Sequence, residues 1–84
     1  MNNVYVKYRG HLASLTGTIE ESFDAACVQD LLKLIRNQYS REAEKTARAM
    51  LITVNGESIH LLRRYKTVLA AGDIVSFFPV CDGG

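Results

Sequence analysis

The chain has 84 residues, 48% of them apolar, which is enough for one small globular domain and too many for a disordered segment. Ten basic and nine acidic residues leave a formal charge of +1, so charge gives no support to nucleic acid or an anionic membrane as the main partner. No apolar run approaches the roughly 20 residues of a membrane span, and the first residues carry neither a basic segment nor an apolar signal stretch, which reads against export.

Val4, Val6 and Tyr8 alternate with Tyr5, Lys7 and Arg9, the period of a half-buried strand, and Gly10 breaks it. Leu12 and Leu15 are spaced for one helical turn with Gly17 as its C-cap. Thr18 to Phe23 is a weaker strand candidate: Ile19 and Phe23 share one parity, Glu21 between them spoils it, and a one-residue slide or a bulge would resolve the conflict. Glu20 and Glu21 read most simply as exposed strand and turn charge. The strongest helical pattern runs from about Ala26 to Tyr39, where Val28, Leu31, Leu32, Ile35 and Tyr39 share a face and Asp24 could cap the start. Ser40 to Ala49 reads as a short surface helix, with Glu44 and Arg48 four apart and a thin apolar edge of Ala43, Ala47 and Met50.

Met50 to Val54 is the next strand, Asn55-Gly56 a hairpin turn, and Glu57 to Leu61 the short return strand. Arg63-Arg64-Tyr65-Lys66 is a basic cluster in a connection. Ala71-Gly72-Asp73 is a second turn. The final strand is Ile74 to Phe78, which Pro79 ends by removing a ladder donor. One helix crossing between strand pairs predicts an α+β domain, a mixed sheet of about five strands on one main helix. The β-grasp (ubiquitin-like) arrangement is the commonest small example with this order. The domain is expected over residues 1–78, with 79–84 as a flexible tail.

The residue types offer little chemistry of their own. His11 and His60 lie in separate turns, no His/Cys/Asp constellation has metal spacing, and no Gly-rich phosphate loop is present. Cys27 and Cys81 form neither a C-x-x-C pair nor a disulfide framework, so a reducing cytoplasm is the expected setting. Cys27 stands near a helix start, where a thiolate can be favoured, but a small cysteine there is more often packing. What remains is the tail Pro79-Val80-Cys81-Asp82-Gly83-Gly84. Gly-Gly lacks Cβ atoms and can thread a narrow slot. Six extended residues reach about 20 Å, far enough to bring a terminal carboxylate into a partner's active site. That carboxylate is inert until activated, for example as an acyl-adenylate that a sulfur nucleophile then displaces.

Gly72-Asp73-x-Val75-x-Phe77-Phe78-Pro79, followed by Gly83-Gly84, resembles the small subunit of molybdopterin synthase and its relatives, the MoaD/ThiS sulfur carriers. The likeness spans essentially the whole chain. The molybdopterin branch usually has a second proline where Val80 stands, then Val and one small residue where Cys81 and Asp82 stand. The thiamin branch usually lacks Phe-Phe-Pro, so the chain reads nearer the molybdopterin side. The resemblance implies a non-enzymatic carrier with Gly84 as the reacting residue and no bound cofactor or metal, the ATP being used by an activating adenylyltransferase of the ubiquitin-activating kind. It implies a sulfurtransferase or cysteine desulfurase as donor and a molybdopterin synthase large subunit as acceptor. Contacts to these partners are expected at Ile74, Phe78, Pro79, Val80, Cys81, Asp82 and Gly83. The alternatives are a ubiquitin-like protein modifier, a carrier for thiamin or cysteine biosynthesis, and an interaction module with an idle tail.

Overall fold

A computed structural model of the chain describes residues 2–80. Its elements in chain order are β1 (Asn3–Lys7), α1 (His11–Thr16), β2 (Glu20–Asp24), α2 (Val28–Gln38), α3 (Arg41–Arg48), β3 (Leu51–Val54), β4 (Glu57–Ser58) and β5 (Ile74–Phe78), with short 3-10 turns at Ile59–Leu61 and Arg64–Lys66. The strands form one sheet in the order β2-β1-β5-β3-β4. β1 and β5 pair in parallel at its centre, while β1–β2, β3–β5 and β3–β4 are antiparallel. A mixed sheet with its first and last strands side by side and a helix packed across it is the β-grasp arrangement expected from the sequence. Among the described residues no helix is long and apolar enough to cross a membrane.

The core lies between the inner sheet face and α2. Val4, Val6 and Tyr8 enter it from β1 and its end, Val75 and Phe77 from β5, and Ile52 and Val54 from β3. They meet Val28, Leu31, Leu32 and Ile35, the four buried positions of α2. Each such side chain, once fully buried, stabilises the fold by about 1.5–3 kcal/mol. Ala43 and Ala47 of α3 are also fully buried. The small edge of an otherwise charged helix therefore lets it sit close on the domain. Ser40 caps α3 by accepting from the Ala43 N–H at 3.1 Å, and Arg48 pairs with Glu44 at 2.9 Å.

Three sequence expectations need correction. β2 begins at Glu20, so Glu21 and Phe23 face inward while Ile19 is 70% exposed. Glu21 is thus not exposed charge: its carboxylate accepts from both the Tyr8 and the Tyr39 hydroxyls at 2.6 Å. Second, Asp24 does not cap α2. It ends β2 opposite Asn3 and accepts from the Asn2 N–H. The helix starts two residues later than expected, with Cys27 in the cap position making no side-chain cap bond. Backbone from a distant segment serves instead, since the Val28 N–H donates to the Thr67 carbonyl at 3.0 Å. Third, the return strand stops after Ser58, whose hydroxyl accepts from the His60 N–H and turns the chain into a 3-10 turn.

Candidate functional site

The last strand and the turn before it fix where the tail leaves the domain. Gly72 has φ +89°, and the Asp73 carboxylate accepts from the Ala70 N–H at 2.8 Å and from the Asn55 side chain at 3.0 Å. The Asn55 side-chain oxygen in turn accepts from the Ile74 N–H at 2.9 Å. Asn55 and Gly56 both have positive φ, 53° and 85°, as a two-residue hairpin turn of this twist requires. The Gly-Asp pair and the Asn-Gly turn, about twenty residues apart in sequence, are thus one hydrogen-bonded unit that sets the start of β5.

Along β5 the faces alternate. Val75 and Phe77 are fully buried, and the Phe77 ring lies 6.0 Å from that of Tyr8. Ile74, Ser76 and Phe78 face outward. Ile74 stands beside Tyr5 of β1, and Phe78 beside Leu51 of β3. Tyr5, Ile74 and Leu51 are all exposed large apolar side chains on this open face. Phe78 is half-buried, with the Arg9 guanidinium 5.7 Å from its ring centroid. Arg9 therefore covers one side of the ring and contributes a cation–π attraction.

Past the strand, Pro79 seats on Gly10. Gly10 has φ +62° and ψ −140°, a conformation reserved for glycine, and a Cβ there would come within 3.1 Å of Pro79 Cγ. Read from sequence, Gly10 only ends a strand; its partnership with a residue nearly seventy positions away has no local signature. Pro79 and Val80 then line an open groove with His11, Glu42, Lys45, Thr46, Ala49 and Met50. His11 Nε2 approaches Glu42 Oε2 at 3.9 Å, with both side chains largely in solvent. The structure thus places Phe78, Pro79 and Val80 together where the chain leaves β5, with Ile74 on the same outward face at the strand's other end, while the expected contact residues Cys81, Asp82 and Gly83 and the reacting Gly84 lie outside the described residues.

Beneath this exit, Glu21 ties β2 to Tyr8 and to Tyr39 at the end of α2. Burial raises the Tyr8 hydroxyl pKa far above its ordinary value, and the bond to Glu21 raises it further. The same two causes push Tyr39 up to about 12. Both phenols stay neutral donors, and the Tyr8 ring that supports Phe77 is held from both ends. Among the described residues no group of three or more His, Cys, Asp or Glu side chains is placed to hold a metal ion.

The sequence profile of the ThiS family matches residues 6–84. The chain belongs to the ThiS family. This is a family of ubiquitin-like sulfur carriers and modifiers, small carrier proteins. Among solved structures, this ThiS-family chain is similar to small archaeal modifier protein 1 from Methanosarcina acetivorans, at 25% identity and TM-score 0.85, covering 100% of this chain and 98% of that one. It is also similar to a protein described as molybdopterin converting factor subunit 1 from Pyrococcus furiosus, at 27% identity and TM-score 0.78, covering 96% and 100%. A complex of subunits 1 and 2 of the molybdopterin-converting factor from Helicobacter pylori shares the fold at 18% identity and TM-score 0.69, over 98% and 99%. No curated sequence matches the chain.

Proposed function

We propose that this ThiS-family member carries sulfur as a thiocarboxylate on Gly84 and delivers it in molybdopterin synthesis. The observation that carries the reading is the family match through residue 84, which takes in Gly83-Gly84. The likeness to the Pyrococcus furiosus protein supports the pathway. The Gly84 carboxylate attacks the α-phosphorus of ATP in an adenylyltransferase, and pyrophosphate leaves. A persulfide sulfur from a sulfurtransferase or cysteine desulfurase then displaces AMP, giving an acyl disulfide that a thiol cleaves to the thiocarboxylate. In a molybdopterin synthase large subunit that sulfur attacks the pterin precursor, and water releases the spent carrier as a carboxylate. The domain's share of the work is presentation. The open face with Tyr5, Leu51 and Ile74 docks the partner, Phe78 anchors at the root, and Pro79 and Val80 aim the remaining four residues inward.

The likeness to small archaeal modifier protein 1 favours a second reading, in which the activated Gly84 forms an isopeptide with a target lysine. Incubation of the sulfur-labelled carrier with a large subunit and precursor decides between them. Label recovered in the dithiolene of the pterin product supports sulfur delivery. Label lost as the chain becomes amide-linked to lysine supports the modifier.

A further inference from the structure

The segment 60–68, His-Leu-Leu-Arg-Arg-Tyr-Lys-Thr-Val, holds three Arg or Lys residues and no carboxylate. The core absorbs every leucine of α2's inner face, yet here Leu61 is 76% exposed, Val68 73% and Leu62 36%. With Arg63 and Thr67 they wall an open recess, and none of these five residues lines the groove at the tail root. Among the described residues Arg63, Arg64 and Lys66 enter no ion pair.

The loop is nonetheless firmly built. The Arg63 N–H donates to the Thr67 hydroxyl at 3.0 Å, the Lys66 N–H to the Arg63 carbonyl at 2.9 Å, and the Thr67 N–H to the Arg64 carbonyl at 3.1 Å. Tyr65 turns inward under the Arg48 guanidinium, 4.9 Å from its ring centroid. Arg64 is held at φ +53°, a left-handed conformation that costs a non-glycine residue free energy and persists only where surrounding contacts enforce it.

We infer that this loop is a second docking surface, for a partner protein that presents an acidic segment with a projecting apolar side chain. Arg63 at the recess, with Arg64 and Lys66 in the same loop, complements that chemistry and repels a basic partner. The concave shape suits an inserted side chain, the usual form of a protein anchor. A single strand bound by stacking would want a free aromatic face, and Arg48 lies over the ring of the half-buried Tyr65. The surface is separate from the tail chemistry, so a partner held here could remain bound while Gly84 passes between enzymes.

The test is an amide-resolved NMR titration of the full chain with a short peptide alternating glutamate and leucine. Parallel arms use the lysine–leucine counterpart and phosphatidylserine vesicles. Saturable shifts confined to residues 59–69 and weakened at least about tenfold by Arg63→Glu with Lys66→Glu are expected. Both side chains are exposed, and the variant's own spectrum verifies its fold. Leu61→Ser, which removes apolar wall but no charge, should weaken binding as well. No saturable shift, equal binding of the basic peptide, or binding of vesicles without the acidic peptide overturns the inference. So do concentration-dependent shifts at both this loop and residues 19–24 without peptide, because Ile19, Glu20 and Asp24 offer the complementary chemistry to a second copy.

Discussion

Replacing Gly10 with alanine separates two roles that one residue plays. At φ +62° and ψ −140° an L-residue is strained, by about 1–3 kcal/mol, and this cost falls on folding. The new Cβ would also stand 3.1 Å from Pro79 Cγ, 3.6 Å from its Cβ and 3.8 Å from its Cδ. Pro79 is exposed and follows the last strand, so it can yield, and the steric part falls on the direction of the tail rather than on stability. Gly10→Ala should therefore lose about 1–3 kcal/mol in urea denaturation. It should lose proportionally more in ATP–pyrophosphate exchange with the cognate adenylyltransferase, measured well below the unfolding midpoint. Adding Pro79→Gly removes the close contact but not the backbone strain, so the double variant should remain about as unstable as Gly10→Ala. A Gly10→Ala protein of wild-type stability, or full recovery of stability in the double variant, refutes the backbone argument.

Other consequences can be checked with single variants. Phe77→Ala opens a hole beside Tyr8 and should cost about 3–5 kcal/mol of stability, whereas Phe78→Ala should cost less but weaken partner binding by about 2 kcal/mol, read by calorimetry. Tyr8 and Tyr39 both have raised pKa values, so their stabilisation is complete below the unfolded value of about 10 and is lost as pH climbs beyond it. The unfolding free energy from urea titration should fall there, by about 1.4 kcal/mol per pH unit for Tyr8, and Tyr8→Phe should flatten that slope. Cys81→Ser should still take up sulfur, because a thiocarboxylate needs only the terminal glycine; loss of uptake in that variant points to a persulfide on the cysteine.

Patterns with a short period are legible in the sequence. The alternation through Val4, Val6 and Tyr8, the α2 face and the Asn55-Gly56 turn all appear where the sequence places them, because each is set by neighbours within a few residues. Phe77 inward and Phe78 outward followed from strand parity alone. Interactions closed by tertiary structure were not readable. Glu21 looked like surface charge because its two phenol partners come from β1's end and from α2, 13 and 18 positions away. Asp24 looked like a helix cap, but the α2 start takes its acceptor from Thr67, on the far side of the chain. At the candidate site, the outward parity of Ile74 and Phe78 and the strand's end before Pro79 are legible in the sequence, while the seat that Gly10 makes for Pro79 is not.

The most direct measurement is the intact mass of the chain after incubation with ATP, its adenylyltransferase and a persulfide donor, compared with a chain lacking Gly84. A sulfur-carrying terminus predicts replacement of one oxygen by sulfur in the full chain, with fragmentation placing it on Gly84, and no change in the truncated one. Sulfur retained after removal of Gly84, or a full chain that is adenylated but never gains sulfur, contradicts it.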